Sequence, residues 1–480
     1  MIFSTSIFLF SFLPMFLLIY YFIEIISYKS KRLVSNLYIL LASLYFYLWG
    51  SGEAVYILIA SIVVNYYIGI LMNAQLMKKK SGIRKVLLIV GVSCNLAVLI
   101  YYKYSNFFYE QLSLFFENIG IYTGSLEKII LPAAISFYTF MAISYLVEVY
   151  RRQTAARNII DFATYLSLFP HLVAGPIVRY SEIERELEER EIKLEMMFEG
   201  IWRFAIGLSK KVLIANNIGV VADKVFDLPQ NELTTGIAWI GIICYTLQIY
   251  FDFSGYTDMA IGLAKFMGFN FPENFNQPYR SQSVTEFWRR WHMSLSRWFR
   301  DFLYIPLGGS RKGPVRTYVN LFIVFFLCGL WHGASWSFVV WGMYQGVILI
   351  IERLLKQKYN FEPKGFLGWL VTFNLIMIGW VFFRSSSLEG AFTYIKSMFS
   401  FGYASKITYF EPMYFLQNNI IVFAVIGFVI AFVPHEKIKV IRNDSTLSTI
   451  VKGIISLLVF ILSAASIAKS GFQPFIYFQF

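Results

Sequence analysis

The sequence predicts an all-α protein threaded many times through a membrane. Three observations lead there. Hydrophobic residues fill 57% of the 480 positions and charged residues only 15%, against about 25% charge in a typical soluble domain. Apolar runs long enough to cross a hydrocarbon core recur along the whole chain. The basic residues between those runs cluster on alternate loops, the pattern of a polytopic protein with its positive loops in the cytoplasm.

The apolar runs fall at about 5–27, 34–50, 53–73, 86–104 and 129–149, then 199–222 and 234–254, then 317–333, 336–352, 364–384, 413–433 and 448–468. The first is too long for the apolar part of a signal peptide, about 7–15 residues, and no basic stretch precedes it. It reads as a first span with its N-terminus outside. Lys29, Lys31 and Arg32 follow the first run; Lys78, Lys79, Lys80, Arg84 and Lys85 follow the third; Arg151, Arg152 and Arg157 follow the fifth. All follow odd-numbered spans and so share the cytoplasmic side. The basic loop 435–444, which opens with His435, belongs there too and leaves the C-terminus outside. Two outer termini require an even number of crossings. Eleven to thirteen apolar segments, one or two of them re-entrant, are best met by 12. The net charge of +13 is read as this loop asymmetry, not as nucleic-acid binding. Residues 1–480 form a single membrane domain in this reading.

Several stretches are less regular. Residues 105–128 are amphipathic and predict a surface segment on the outer face. Residues 158–177 are weakly apolar, broken by Pro170, Gly175 and Pro176, and contain His171. Such a segment suits a re-entrant helix, which survives at membrane depth only when protein or a water-filled cavity surrounds it. The charged run 179–195 predicts a solvated cytoplasmic helix. Three cysteines, Cys94, Cys244 and Cys328, all in apolar runs, make no disulfide or zinc pattern. Cys328 stands one helical turn before His332, which allows a Cys–His dyad, although a buried cysteine is more often a small core residue.

The stretch Glu286–Trp336 carries the functional signal. It holds two of the chain's four histidines, His292 and His332. His332 ends the apolar run 318–330, where a titratable imidazole is costly and marks a functional site. The tract around His292 predicts one interfacial helix starting at Thr285 and ending in the turn Ile305–Gly309. On it Trp288 and His292 share a face, as do Trp291 and Leu295, and His292, Ser296 and Phe299 stack. Asp252 and Asp258, at the end of a span, either cap and pair with basic side chains or shape a polar cavity.

A neutral imidazole in an apolar setting is a competent base near pH 7 for moving an acyl group from a thioester to a hydroxyl. The tract rich in Trp and Arg before it could grip a phosphate-bearing donor. The chain shows no nucleotide P-loop, no GxSxG, no HExxH and no dinucleotide-binding glycine pattern. No metal-ligand spacing occurs, and no tightly bound cofactor is expected. These residues leave an acyltransferase, a proton-coupled transporter and a non-catalytic scaffold open.

The runs FPHLVAGPIVRY, FDFSGYTDMAIG, PYRSQSVTEFWRRWHMSLSRWFRDFLYIPLGGSR and LWHGASW, spread over about residues 165–340, resemble the membrane-bound O-acyltransferase family. They are most similar to its bacterial branch of alginate and peptidoglycan O-acetyltransferase membrane subunits. The resemblance implies a ring of helices around a thin tunnel, with His332 catalytic and His292 the second signature residue. Trp288, Arg289, Trp291, Ser296, Trp298, Arg300, Asp301, Trp331, Asp252 and Asp258 become tunnel or donor-binding candidates. It implies acetyl-CoA as donor, an extracytoplasmic glycan as acceptor and a secreted or membrane-anchored SGNH hydrolase-like transferase as partner, in a bacterial cytoplasmic membrane. The terminal peptide GFQPFIYFQF, 471–480, is similar to an acyl-carrying tail in the related D-alanylation system, which makes Tyr477 a candidate acyl relay. Relatives that acylate lysophospholipids supply the competing acceptor.

Overall fold

The computed structural model describes residues 2–26, 31–74, 81–124, 127–152, 154–229, 231–400, 411–434, 445–469 and 474–476. No strand occurs among them. Nine helical runs among the described residues are long and apolar enough to cross a membrane, and one of these, Lys31–Asn73, contains two of the expected spans. Each of the expected apolar runs overlaps a helix, but 129–149 is helical only from Ile135 and 413–433 mainly from Asn418, and neither is among the nine. The loops carrying Lys29, Lys78–Lys80 and His435 lie outside the described residues.

The chain separates into two compact units, residues 1–200 with 260–272, and residues 201–259 with 273–480. The first holds α1 (Leu13–Ile26), α2 (Lys31–Ser51), α3 (Val55–Asn73), α4 (Ser81–Asn118), α5 (Ile135–Arg152), α6 (Ile159–Ser167), the single turn α7 (Phe169–Leu172) and α8 (Tyr180–Glu188). Polar side chains in apolar helices pair with one another here, because unpaired they would be costly. Asn65 and Asn95 exchange hydrogen bonds of 3.2 and 2.7 Å between α3 and α4. Asn36 donates to Asp161 at 2.7 Å and accepts from Arg190 at 2.7 Å. The segment expected as an outer surface element, 105–128, instead continues α4 to Asn118 before the chain turns back. The helix runs on because no proline or glycine occurs between Gly91 and Gly120.

His171 belongs to this first unit. It is fully buried, stacks on Phe271 at 5.1 Å and bonds through Nε2 to the Tyr165 carbonyl at 2.8 Å. The broken helix pair α6–α7 thus holds a core histidine tied to the main chain through Nε2.

The second unit takes up the chain within α9 (Leu194–Ser209), which continues through a π turn, Lys210–Ala215, into α10 (Asn216–Phe226). Then come α11 (Thr235–Phe266), α12 (Val284–Arg290), α13 (Met293–Phe299), α14 (Pro314–His332), α15 (Trp336–Tyr359), α16 (Gly365–Arg384), α17 (Leu388–Phe399), α18 (Asn418–Phe432) and α19 (Thr446–Lys469). The long α11 is apolar on nearly every face, as a helix inside a bundle must be. It meets α9 where both carry glycine: a Cβ on Gly207 would stand 2.6 Å from the Gly255 carbonyl. That close crossing brings Arg203 of α9 and Lys210 and Lys211 of the π turn onto the α11 aspartates.

Candidate active site

His332 is placed by a glycine-to-glycine contact. A Cβ on Gly329 would stand 2.3 Å from the Phe338 carbonyl, and one on Gly342 would stand 2.3 Å from the Phe325 carbonyl. So α14 and α15 touch backbone to backbone one turn before His332, a packing that only small residues allow. The His332 ring is 5% exposed. Trp331, Trp341 and Phe383 surround it, with ring centroids 5.0, 5.0 and 5.1 Å away.

His292 sits at a break rather than inside a helix. The helix expected from Thr285 to Ile305 stops at Arg290 and restarts at Met293, with His292 left-handed at φ +42°. Trp288 and His292 therefore do not share a helical face, nor do Trp291 and Leu295. A left-handed non-glycine residue costs roughly 1–3 kcal/mol. The loop around Asn274 offsets it. Met293 N–H donates to the Asn274 carbonyl and Asn276 N–H to the Arg290 carbonyl, both at 2.9 Å. Asn274 Oδ1 accepts from the Ser294 backbone N–H at 3.0 Å and from its hydroxyl at 2.9 Å.

The same Asn274 Oδ1 lies 3.2 Å from His292 Nδ1. An atom that already accepts a backbone N–H must be the amide oxygen, so Nδ1 is the protonated nitrogen. That leaves the lone pair of the neutral ring on Nε2. Burial pushes the His292 pKa down to about 3, so the ring is neutral at ordinary pH. Phe253 packs edge-on against His292 at 4.7 Å, and Trp331 lies 6.1 Å from it. Trp331 thus contacts both imidazoles.

A cavity of about 610 Å³ is lined by neither histidine but reaches Met293, next to His292 in the chain, and Cys328, one turn before His332. It is lined by four arginines, Arg289, Arg297, Arg300 and Arg353, with Trp288, Ser296 and Cys328, and by no Asp or Glu. A second cavity of about 860 Å³ shares Thr285, Arg289 and Arg353 with it and is more polar. The opening of α12 is fixed from this side: Ser283 Oγ accepts the Glu286 N–H at 3.0 Å, and the Glu352 carboxylate accepts those of Val284 and Thr285 at 2.5 and 2.9 Å. Of the sequence-predicted donor residues, Trp288, Arg289, Ser296 and Arg300 come together here. Asp301 instead holds Arg300 at 2.6 Å. Trp291 packs in the core against Trp380 at 5.0 Å and Phe275 at 5.1 Å, and Trp298 against Phe302 at 5.4 Å.

Both aspartates of α11 are paired. Asp258 accepts from Arg203 at 2.8 Å and Lys210 at 2.6 Å, and it also lines a cavity of about 600 Å³ whose far wall is apolar. Asp252 meets Lys211 at 2.5 Å. Tyr477 lies outside the described residues, but the three residues before it, Pro474–Ile476, are described, and the last two of these are buried.

The sequence reading missed Asn274, Arg297, Arg353 and Lys211. Arg353 had a weak signal: it follows a long apolar run and stands on the same helical face as Gln345, eight residues earlier. Asn274 had none, since its role depends on a contact 18 residues along the chain.

The family model for the membrane-bound O-acyltransferases, MBOAT, matches residues 60–389. A probable alginate O-acetylase AlgI of Pseudomonas putida is 42% identical over 497 aligned positions, covering 100% of both chains. A peptidoglycan O-acetyltransferase of Helicobacter pylori is 36% identical over 83% of this chain and 80% of its own. A teichoic acid D-alanyltransferase of Bacillus subtilis is 28% identical over 52% of this chain and 67% of its own. The matched span contains both histidines and the arginine-lined cavity, and its apolar helices make the protein multi-pass. The chain belongs to the membrane-bound O-acyltransferase family and is an O-acyltransferase of the membrane.

Proposed function

We propose that this acyltransferase moves an acetyl group from cytoplasmic acetyl-CoA to hydroxyls of an extracytoplasmic glycan, acting as one domain over residues 1–480. The observation that carries the reading is the cavity lined by four arginines and no acid, with Cys328 in its wall one turn before His332. Such a lining suits the pyrophosphate of a coenzyme A donor. His332, in its aromatic surround, takes the proton of the attacking hydroxyl. The new C–O bond forms as the thioester C–S bond breaks, and the thiolate leaves as CoA after taking up a proton. His292 stands across Trp331 and receives or orients a proton through Nε2.

In this reading Tyr477 is the first acceptor. Its phenol receives the acetyl group and passes it to a hydrolase-like partner transferase outside the membrane. The names of the relatives support a glycan acceptor of the alginate or peptidoglycan kind. The loop charges support a bacterial cytoplasmic membrane with both chain termini outside.

The test uses purified protein in nanodiscs with radiolabelled acetyl-CoA, comparing wild type with His332→Ala. The expected result is CoA release that depends on His332 and label that maps to Tyr477. CoA release by the Ala variant at the wild-type rate would falsify the role of His332. Full glycan acetylation by Tyr477→Phe in cells would end the relay. Label appearing in phospholipid chains, with none on the glycan, would replace the glycan acceptor with a lipid.

A further inference from the structure

Chain ends are usually loose unless something ties them down. Here Phe475 is 1% exposed and Ile476 6% exposed, although neither belongs to a spanning helix. What holds them is the Asp252–Lys211 pair. Asp252 Oδ1 meets Lys211, while its Oδ2 accepts the Ile476 backbone N–H at 2.8 Å. Lys211 Nζ also donates to the Pro474 carbonyl at 3.1 Å. The Phe475 ring between those two groups lies under the Lys211 ammonium at 4.5 Å and edge-on to Tyr256 at 4.7 Å.

A buried ion pair is a poor way to gain stability. Desolvation consumes most of the attraction unless the remaining lone pair and protons are also satisfied. In this pair each ion has spare hydrogen-bonding capacity, and both spend it on the same short stretch of main chain. The two ions therefore read a donor and an acceptor two residues apart, with an aromatic side chain between them. Without the peptide, one carboxylate oxygen and part of the ammonium would lose these partners inside the protein.

The position along α11 gives the arrangement its use. Asp252 and Tyr256 hold the peptide. Phe253, the next residue after Asp252, packs on His292, and Thr257, the next after Tyr256, lies 3.5 Å from the Asn274 amide nitrogen. One helix thus carries the peptide on one stripe and the His292 support on the neighbouring stripe.

We infer that the buried Asp252–Lys211 pair is a docking clamp for the chain's own segment 474–476, gripping it by its backbone at Pro474 and Ile476 and so tethering the residue that follows to the helix that also carries the support of His292. The delivery part of this inference rests on the reading of Tyr477 as acyl carrier; the clamp itself does not.

The experiment uses the full-length protein in nanodiscs and reads two things in parallel. Carboxypeptidase Y trimming, followed by intact mass, reports whether the tail is docked. Acetyl label on residue 477 reports delivery. Ile476→Pro deletes the one N–H that Asp252 accepts and touches no helix. The paired change Asp252→Leu with Lys211→Met removes the clamp without leaving a lone buried charge. Loss of a hydrogen bond to a charged group is worth roughly ten- to a hundredfold. Trimming past residue 474 should speed up by about that factor in both variants, while label on residue 477 falls in proportion. Equal trimming of wild type and variants would overturn the clamp. A protected wild-type tail that speeds up in the variants but never carries label would leave the clamp standing and remove the relay alone.

Discussion

Asn274 Oδ1 faces His292 Nδ1 at 3.2 Å while accepting the Ser294 backbone N–H. This one oxygen sets the tautomer of the buried ring and clips the helix break on which the ring sits. Asn274→Ala should lower acetyl transfer roughly 5- to 150-fold, the range for leaving one buried group without its partner. Its pre-steady-state donor binding should change less than its transfer rate. His292→Gln separates the two roles of that ring. Weaker donor binding with unchanged single-turnover transfer would show that His292 positions the donor and moves no proton.

The Gly329–Gly342 crossing predicts a positional effect without chemistry. A Cβ at Gly329 meets main chain at 2.3 Å, so α14 and α15 must separate and carry His332 with them. Gly329→Ala should remain folded, melt at a lower temperature and lose at least about tenfold in CoA release, a barrier change of about 1.4 kcal/mol. Gly453, in the exposed part of α19, has nothing within 4 Å. Gly453→Ala should be neutral or stabilise by about 0.5–1 kcal/mol, with unchanged CoA release. Matching losses in both variants would count against the positional account.

The arginine lining predicts donor recognition by charge. Arg353→Gln should raise the KM for acetyl-CoA about ten- to a hundredfold and leave kcat nearly unchanged. The wild-type KM should rise with ionic strength, and the variant's should rise less steeply. A drop in kcat at constant KM would place Arg353 in the chemistry instead.

Burial pushes the His171 pKa down to about 4 from 6.5. Above pH 6.5 the ring is neutral in the folded and unfolded chain alike, and pH has no effect through it. Between pH 6.5 and 4 the unfolded chain takes up a proton that the folded ring refuses. Stability therefore falls with falling pH across that window, by about 1.4 kcal/mol per unit at most. The melting temperature in detergent should drop between pH 7 and 5. His171→Gln, which can keep a bond to the Tyr165 carbonyl, should flatten the drop. An unchanged slope in that variant would show that another group governs it.

The spans were legible because each is a long apolar run, and length with hydropathy decides that a helix forms in a bilayer. The place of His332 at the end of such a run was legible for the same reason. The break at His292 was not. Local pattern from Thr285 onward reads as continuous helix, and the Ser283 N-cap, whose Oγ accepts the Glu286 N–H, marks its start. What stops the helix is the Asn274 loop, a non-local competitor for the backbone groups of residues 290–294. Asp252 and Asp258 show the intermediate case. Their need for partners followed from their place in an apolar helix, but Lys211 and Arg203 could be chosen only once α9 and α11 were seen to cross at their glycines.

The grip on Ile476 is through its amide, so what Asp252 and Lys211 recognise is main chain and not side-chain identity. Asp252 accepts the Ile476 N–H and Lys211 donates to the Pro474 carbonyl, and both bonds survive any change of side chain at 476 that keeps the N–H.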